Sequence, residues 1–132
     1  MGKAKARRLA KLRREKIAAA QRRATEGPLP DFVVLGTQKG GTSFFYRLLT
    51  EHPLVRGAAA KELHFFDNKF AEGVGWYRRC FSEGERVDGQ RTITGEASPS
   101  YLFDPQVPER MARIVPEASL IALLRNPVDR AY

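Results

Sequence analysis

The sequence predicts an α/β fold, in which a parallel sheet is flanked by helices and preceded by a basic N-terminal helix. An apolar strand at 32–35 leads through a glycine-rich loop into a helix at 42–50. An amphipathic helix at 107–115 is followed by an apolar run at 120–124, which is expected to be a buried strand. A shorter strand is expected at 92–94. Apolar strands separated by helices are typical of parallel α/β units.

Composition divides the chain into a basic helical tail at 1–26, a linker at 27–30 and a single domain at 31–132. The tail holds ten of the 23 basic residues and two of the 15 acidic ones, so its charge of +8 equals the net charge of the whole chain. The excess of basic residues therefore lies in the tail, and the composition indicates no basic active face on the domain.

The tail is rich in Ala, Arg, Lys and Leu, which are good helix formers. Apart from alanine, its apolar residues are Leu9, Leu12 and Ile17, a stripe too narrow to dock firmly on a core. We interpret the tail as a solvated helix. The alternative is contact with anionic lipid, nucleic acid or an acidic polysaccharide. Membrane contact is not favoured, and no specific nucleic-acid partner is predicted.

Cysteine usage and hydropathy predict the compartment. Cys80 is the only cysteine, which excludes an internal disulfide and fits a reducing environment. No secretory apolar region follows the N-terminal charges, and no stretch is long enough to span a bilayer. The sequence therefore predicts a cytoplasmic protein.

The glycine-rich loop in FVVLGTQKGGTSFFYRLL predicts an anion site, because a strand–loop–helix turn directs backbone N–H groups and a helix N-terminus at one point. The spacing from Gly36 to Gly41 fits the P-loop of nucleotide hydrolases, but the next residue is Thr42 and the lysine, Lys39, lies inside the loop. The loop is therefore P-loop-like. Its candidate phosphate ligands are Lys39, Gly40, Gly41, Thr42 and Ser43.

Five stretches together resemble one family. TQKGGTS resembles the 5′-phosphosulfate loop of sulfotransferases that use 3′-phosphoadenosine 5′-phosphosulfate (PAPS). KELHFFD, GVGWY and GEASPSYLFDPQVPERM are similar to segments of the heparan sulfate 3-O-sulfotransferase-like branch, and LIALLRNPVDRAY is similar to the strand and turn of the 3′-phosphate contact. The motifs occur in the family's order over 31–132. The resemblance implies the N-terminal part of a sulfotransferase domain, incomplete at this length.

The resemblance implies a role for each donor-site residue. Lys39 would hold the 5′-phosphosulfate and stabilise the leaving oxygen, while the glycines and hydroxyls beside it bind the same group. Arg125 would bind the 3′-phosphate. The alternatives are a solvated loop lysine and an ion pair from Arg125 to Asp129. The family completes its 3′-phosphate contact with a serine eight residues after this arginine, beyond Tyr132.

The resemblance also assigns residues to the acceptor side of the site. Glu62 matches the candidate general base that takes the acceptor's proton, with His64 as the reserve candidate. The alternatives are a surface carboxylate paired with Lys61 and a structural histidine. The residues expected to contact the acceptor are Lys61, Glu62, His64, Asp67, Ser98 and Tyr101.

One position departs from the branch. Ala97 stands where the branch has a lysine associated with substrate and catalysis, before its Thr/Ser-Pro-Ala-Tyr turn. The acceptor is therefore expected only as a class, a hydroxyl or an amine, with a carbohydrate as the candidate.

The predicted function is in-line transfer of a sulfuryl group from PAPS, without a metal. A P-loop kinase would need a lysine at position 42 and a magnesium-binding aspartate after a later strand, and both are missing. The remaining alternative is an inactive nucleotide-binding remnant whose basic tail binds an anionic partner. Whether residues 1–132 alone are active stays open.

Overall fold

A computed structural model describes residues 2–25, 27–37, 41–82, 84 and 86–128, and the side chains of its first helix as far as Ala18. Single turns of 3-10 helix occupy Phe70–Glu72 and Pro99–Leu102. In chain order the helices and strands are α1 Gly2–Thr25, β1 Phe32–Gly36, α2 Thr42–Glu51, β2 Val55–Gly57, α3 Val74–Arg79, β3 Ile93–Ala97, α4 Val107–Ile114 and β4 Ser119–Leu123.

The strands form one sheet in the order β2-β3-β1-β4. Every pairing in it is parallel, including β1 with β3 and β1 with β4. The chain moves to one side of β1 to form β2 and β3, and then crosses β1 to form β4. The predicted α/β class with a parallel sheet and flanking helices is confirmed.

Each face of the sheet covers a separate part of the core. On one face, Phe32, Val34 and Ala97 pack with Phe45 and other apolar side chains of α2. On the other face, the core includes α3, α4 and the segment between β2 and α3. The alternation along β1 sends successive side chains to opposite faces, and all five of its residues are buried.

Aromatic packing anchors the segment that follows β2. Phe65 and Phe66 are fully buried, and Phe65 stacks on Tyr77 of α3 with a centroid distance of 4.3 Å. Tyr101 meets Phe66 edge to face at 5.5 Å. Full burial of each phenylalanine is worth roughly 1.5–3 kcal/mol, so these contacts fix the polar residues on either side of them.

The tail is helical, as the composition predicts. Helix α1 runs beside α3, and its side chains from Gly2 to Ala18 are exposed. Leu9, Leu12 and Ile17 have exposed fractions of 52–60%. These three apolar side chains therefore contribute little to the core.

Two elements differ from the expectation. The strand expected at 92–94 lies at Ile93–Ala97. The strand expected at 120–124 lies at Ser119–Leu123, and the prediction that it is buried is wrong, because Leu120 is 57% exposed. Within the described residues β4 pairs only with β1, so it is an edge strand, and an apolar groove lies between it and α4.

Candidate active site

The candidate site lies at one edge of the sheet. Because all four strands are parallel, the segments that follow them emerge at the same edge, where α/β proteins bind their ligands. The glycine-rich loop follows β1, and the segment of Glu62 and His64 follows β2. The Ser98–Tyr101 turn follows β3, and Arg125 comes two residues after β4. The fold therefore brings those sequence-predicted residues that the structure describes to one edge of the sheet from four separate parts of the chain.

The two described glycines of the loop, Gly36 and Gly41, leave room for other groups to approach the backbone closely. A Cβ on Gly36 would lie 2.4 Å from the carbonyl oxygen of Leu123, so only glycine lets β1 and β4 close here. Gly41 has φ +87°, and a Cβ there would meet nothing within 4 Å. The hydroxyl of Thr37 is buried without a hydrogen-bond partner among the described residues. Lys39 and Gly40 lie outside the described residues.

Helix α2 begins directly after this loop. Its N-cap residue, Gly41, offers no side-chain cap, and no acidic residue occupies the first turn. Thr42 is buried and Ser43 is exposed. An N-terminus without a carboxylate keeps its partial positive charge for a bound anion. Together with the unpartnered hydroxyl of Thr37, these residues fit a phosphate or phosphosulfate group.

Three titratable side chains meet after β2. His64 Nε2 lies 3.4 Å from a carboxylate oxygen of Glu62, and His64 Nδ1 lies 3.2 Å from Oδ2 of Asp67. The Glu62 side chain is 42% exposed, whereas that of Asp67 is 5% exposed. The imidazole therefore joins an accessible carboxylate to a shielded one.

Hydrogen bonds determine the charge of Asp67. Burial alone would raise its pKa, but bonds from Ser100, His64 and the backbone N–H of Asn68 outweigh burial and hold the pKa of this carboxyl below its usual value. Ser100 Oγ lies 2.6 Å from Oδ2 of Asp67 and 3.1 Å from Nδ1 of His64. Asp67 is therefore an ionised acceptor beside the imidazole.

The backbone of this cluster is strained. Glu62 and His64 have φ values of 54° and 53°, a region that costs residues other than glycine roughly 1–3 kcal/mol each. Hydrogen bonds offset this cost, because Ser98 Oγ accepts from the N–H of His64 at 3.2 Å and Tyr101 Oη accepts from the N–H of Phe65 at 2.8 Å. Strain held by its surroundings is typical of functional segments.

Ser98 and Tyr101, expected at the acceptor, are 0% and 2% exposed. Their hydroxyls are occupied by the backbone of the segment that carries Glu62 and His64. Both residues therefore position that segment, and a direct contact with an acceptor stays a prediction. Lys61 is exposed beside Glu62, and Arg125 is exposed at the same edge of the sheet. Asp129, the proposed alternative partner of Arg125, lies outside the described residues.

Glu96 is a feature that the sequence reasoning did not single out. Its side chain is 0% exposed, and neither carboxylate oxygen has a hydrogen-bond partner within ordinary geometry among the described residues. Burial raises its pKa to about 7, against the smaller lowering effects of Tyr101, Tyr77 and Ser98. The hydrophobic pattern of the sequence does not reveal that an acidic residue inside a strand is buried.

Ser100 was also missed as a site residue. The only available signal was that Ser98-Pro99-Ser100-Tyr101 departs by one serine from the Thr/Ser-Pro-Ala-Tyr turn that the family resemblance implies. Within the described residues, no group of three or more His, Cys, Asp or Glu side chains has the arrangement of a metal site.

Comparison with known proteins identifies the family. The chain is 38% identical over 103 residues to the membrane-associated sulfotransferase kil1 of Dictyostelium discoideum, covering 78% of this chain and 22% of that protein. It is 40% identical over 102 residues to human heparan sulfate glucosamine 3-O-sulfotransferase 6, covering 77% of this chain and 28% of that protein. The chain thus spans about a quarter of the length of these relatives. No protein-family model matches it.

The first relative corrects the predicted compartment. The prediction of a cytoplasmic protein is wrong, because a protein 38% identical to this chain is described as membrane-associated. The lone cysteine and the lack of an apolar span were weak arguments for the cytoplasm, because a protein can associate with a membrane surface without either feature changing. In the described part of the chain, no helix combines the length and apolarity needed to cross a bilayer.

A solved structure shows the same fold. The crystal structure of a sulfotransferase from Alicyclobacillus acidocaldarius matches with a TM-score of 0.58 at 36% identity, over 79% of this chain and 47% of that one. The similarity in sequence and in fold agrees with the glycine-rich loop sequence, the segment that carries Glu62, His64 and Asp67, and the parallel sheet described above. The chain is part of a sulfotransferase domain and belongs to the branch of the heparan sulfate 3-O-sulfotransferases.

Proposed function

We propose that the protein carrying this chain transfers a sulfuryl group from PAPS to a hydroxyl or amine of an acceptor, with carbohydrate as the acceptor class. One observation carries the proposal. The P-loop-like turn after β1 and the Glu62–His64–Asp67 cluster after β2 emerge at the same edge of a sheet that matches a sulfotransferase in both sequence and fold. A donor site and a proton acceptor side by side are what the reaction requires.

The donor side would be held by the β1–α2 turn. PAPS supplies the sulfuryl group and a phosphate that departs with negative charge. The Thr37 hydroxyl and the N-terminus of α2, with Thr42 and Ser43, would bind the 5′ end of the nucleotide. From the family resemblance, Lys39 and Gly40 would complete this cradle and Arg125 would bind the 3′-phosphate.

The acceptor side would use Glu62 as the general base. Its carboxylate is the accessible member of the cluster, and His64 lies against it. As the acceptor oxygen or nitrogen attacks sulfur, its proton would pass to Glu62. The shielded Asp67 would orient the imidazole, and its own expected contact with the acceptor stays a prediction.

The acceptor itself follows from the relatives and from one difference. Two relatives, 40% and 39% identical to this chain, are named heparan sulfate glucosamine 3-O-sulfotransferases, which supports a carbohydrate acceptor. Ala97, at the position of the branch's lysine, is 4% exposed and packs with Phe32 and Val34. A cationic contact to the acceptor is missing at this position, so we propose an acceptor that does not depend on it, with Lys61 as the exposed cation nearby.

Transfer of radiolabel from [³⁵S]PAPS tests the proposal. The protein that carries this chain is incubated with a heparan sulfate oligosaccharide or with an unsulfated glucosaminyl oligosaccharide, with and without excess ATP. We expect label in at least one oligosaccharide and no competition by ATP. Hydrolysis of ATP, or the absence of label from both acceptors, would contradict the proposed function.

A further inference from the structure

The side chain of Ser100 contacts both the imidazole of His64 and the shielded carboxylate of Asp67. Its Oγ lies 2.6 Å from Oδ2 of Asp67 and 3.1 Å from Nδ1 of His64, while Nδ1 is 3.2 Å from the same Oδ2. The Asp67 side chain is 5% exposed, so water does not compete freely for these contacts. The three polar atoms form a closed triangle at one side of the ring.

The number of hydrogens available in this triangle determines which ring nitrogen of His64 is protonated. Ionised Asp67 can only accept, so the single hydroxyl hydrogen of Ser100 points to Asp67 at the short distance of 2.6 Å. Ser100 Oγ then presents only lone pairs to His64. Both neighbours of Nδ1 are therefore acceptors, and Nδ1 must carry a hydrogen. In the neutral ring this leaves a lone pair on Nε2, which faces Glu62 at 3.4 Å.

We propose that Ser100 is a positioning residue that holds His64 in the Nδ1–H form, so that Nε2 can share the proton that Glu62 takes from the acceptor. The proposal rests on the proposed function for its catalytic consequence. The acceptor oxygen or nitrogen forms its bond to sulfur, and the bond from sulfur to the phosphate oxygen breaks. The departing nucleotide keeps the electron pair, while the proton passes from the acceptor to Glu62 and then to Nε2.

The main chain makes Ser100 a rigid point of attachment. It lies in the 3-10 turn at Pro99–Leu102, between Ser98 and Tyr101, whose hydroxyls bind the backbone of the His64 segment. The same turn therefore holds both the strained backbone of His64 and the partner of its ring.

Nitrogen NMR of the imidazole tests the proposal directly. The ¹⁵N shifts of Nδ1 and Nε2 distinguish the two neutral forms, and the protein, Ser100→Ala and Ser100→Thr are compared. We expect the Nδ1–H form to predominate in the protein. Loss of one hydrogen bond in Ser100→Ala should lower the ratio of Nδ1–H to Nε2–H about two- to tenfold. Ser100→Thr keeps the hydroxyl and should restore the ratio.

Activity and stability provide the second readout. Ser100→Ala should slow turnover about two- to tenfold and leave PAPS affinity close to that of the protein, while the lost bond to Asp67 should lower the melting temperature. Ser119→Ala removes an exposed serine at the start of β4 and is the matched control. An unchanged tautomer ratio in Ser100→Ala would overturn the inference. If neither the protein nor any variant transferred sulfate, the proposed function would fail, whereas a shifted ratio would still support the positioning role.

Discussion

Glu96→Gln should change the pH dependence of stability, and the structure sets both its sign and its size. The carboxyl group is fully buried, and burial raises its pKa from 4.5 to about 7. Between these values the unfolded chain releases a proton that the folded chain retains. Stability contributed by this group is therefore complete below pH 4.5 and is lost as the pH rises to about 7.

The loss is worth about 3 kcal/mol, since each pKa unit corresponds to about 1.4 kcal/mol. Glutamine has nearly the same shape and stays neutral, so Glu96→Gln should remove this dependence. The unfolding free energy of the variant minus that of the protein should therefore rise by about 3 kcal/mol from pH 4 to pH 8. A constant cost of burying the amide would shift both ends equally and cancel from this difference.

Urea unfolding at a series of pH values measures the effect. Glu117→Gln, which removes an exposed carboxylate, is the matched control and should not reproduce the gain. Other titrating groups, including Asp67, contribute equally to the protein and the variant. If the free-energy difference between the protein and Glu96→Gln were the same at pH 4 and pH 8, the buried acid would not titrate as the structure indicates.

Three further predictions follow from the site. Tyr101→Phe removes the acceptor for the buried N–H of Phe65 and should cost roughly 1–3 kcal/mol of unfolding free energy in urea, whereas an unchanged midpoint would show that this bond is dispensable. Lys39→Ala should weaken PAPS binding and slow transfer together, as measured by calorimetry and single-turnover kinetics, and a fall in only one of them would contradict a role as a charge clamp. Transfer should be unaffected by excess EDTA in a radiolabel assay, and loss of activity restored by Mg²⁺ would indicate metal-assisted chemistry instead.

The sequence predicted the elements whose patterns are local. Strand β1 and helix α2 were expected because four apolar residues at 32–35 precede a glycine-rich loop and an amphipathic run. Strand β2 was not expected, since Val55–Gly57 is only three residues long and carries an exposed arginine in its centre. Helix α3 is also short, and its buried Tyr77 stacks on Phe65, a contact that the local sequence pattern does not reveal.

Contacts between distant segments could not be read from the sequence. Glu62, His64 and Asp67 were all expected on the acceptor side from the family resemblance, and spacings of two and three residues keep them close along the chain. Ser100 reaches Asp67 across 33 residues, through the pairing of β2 with β3. Glu96 gave no signal because a charged residue in a strand is normally expected to face solvent. The exposure of β4 depends on what packs against its faces, which its apolar run does not determine.

The most direct test of the account is single-turnover transfer from [³⁵S]PAPS by the protein that carries this chain and by its Glu62→Gln variant, with PAPS affinity measured in parallel. Glutamine keeps the size of the side chain but cannot take the acceptor's proton. We predict unchanged PAPS affinity and transfer slower by about 10²-fold or more, the usual contribution of a positioned general base. An unchanged transfer rate, or loss of PAPS binding without loss of transfer, would contradict the assignment of Glu62 and the mechanism built on it.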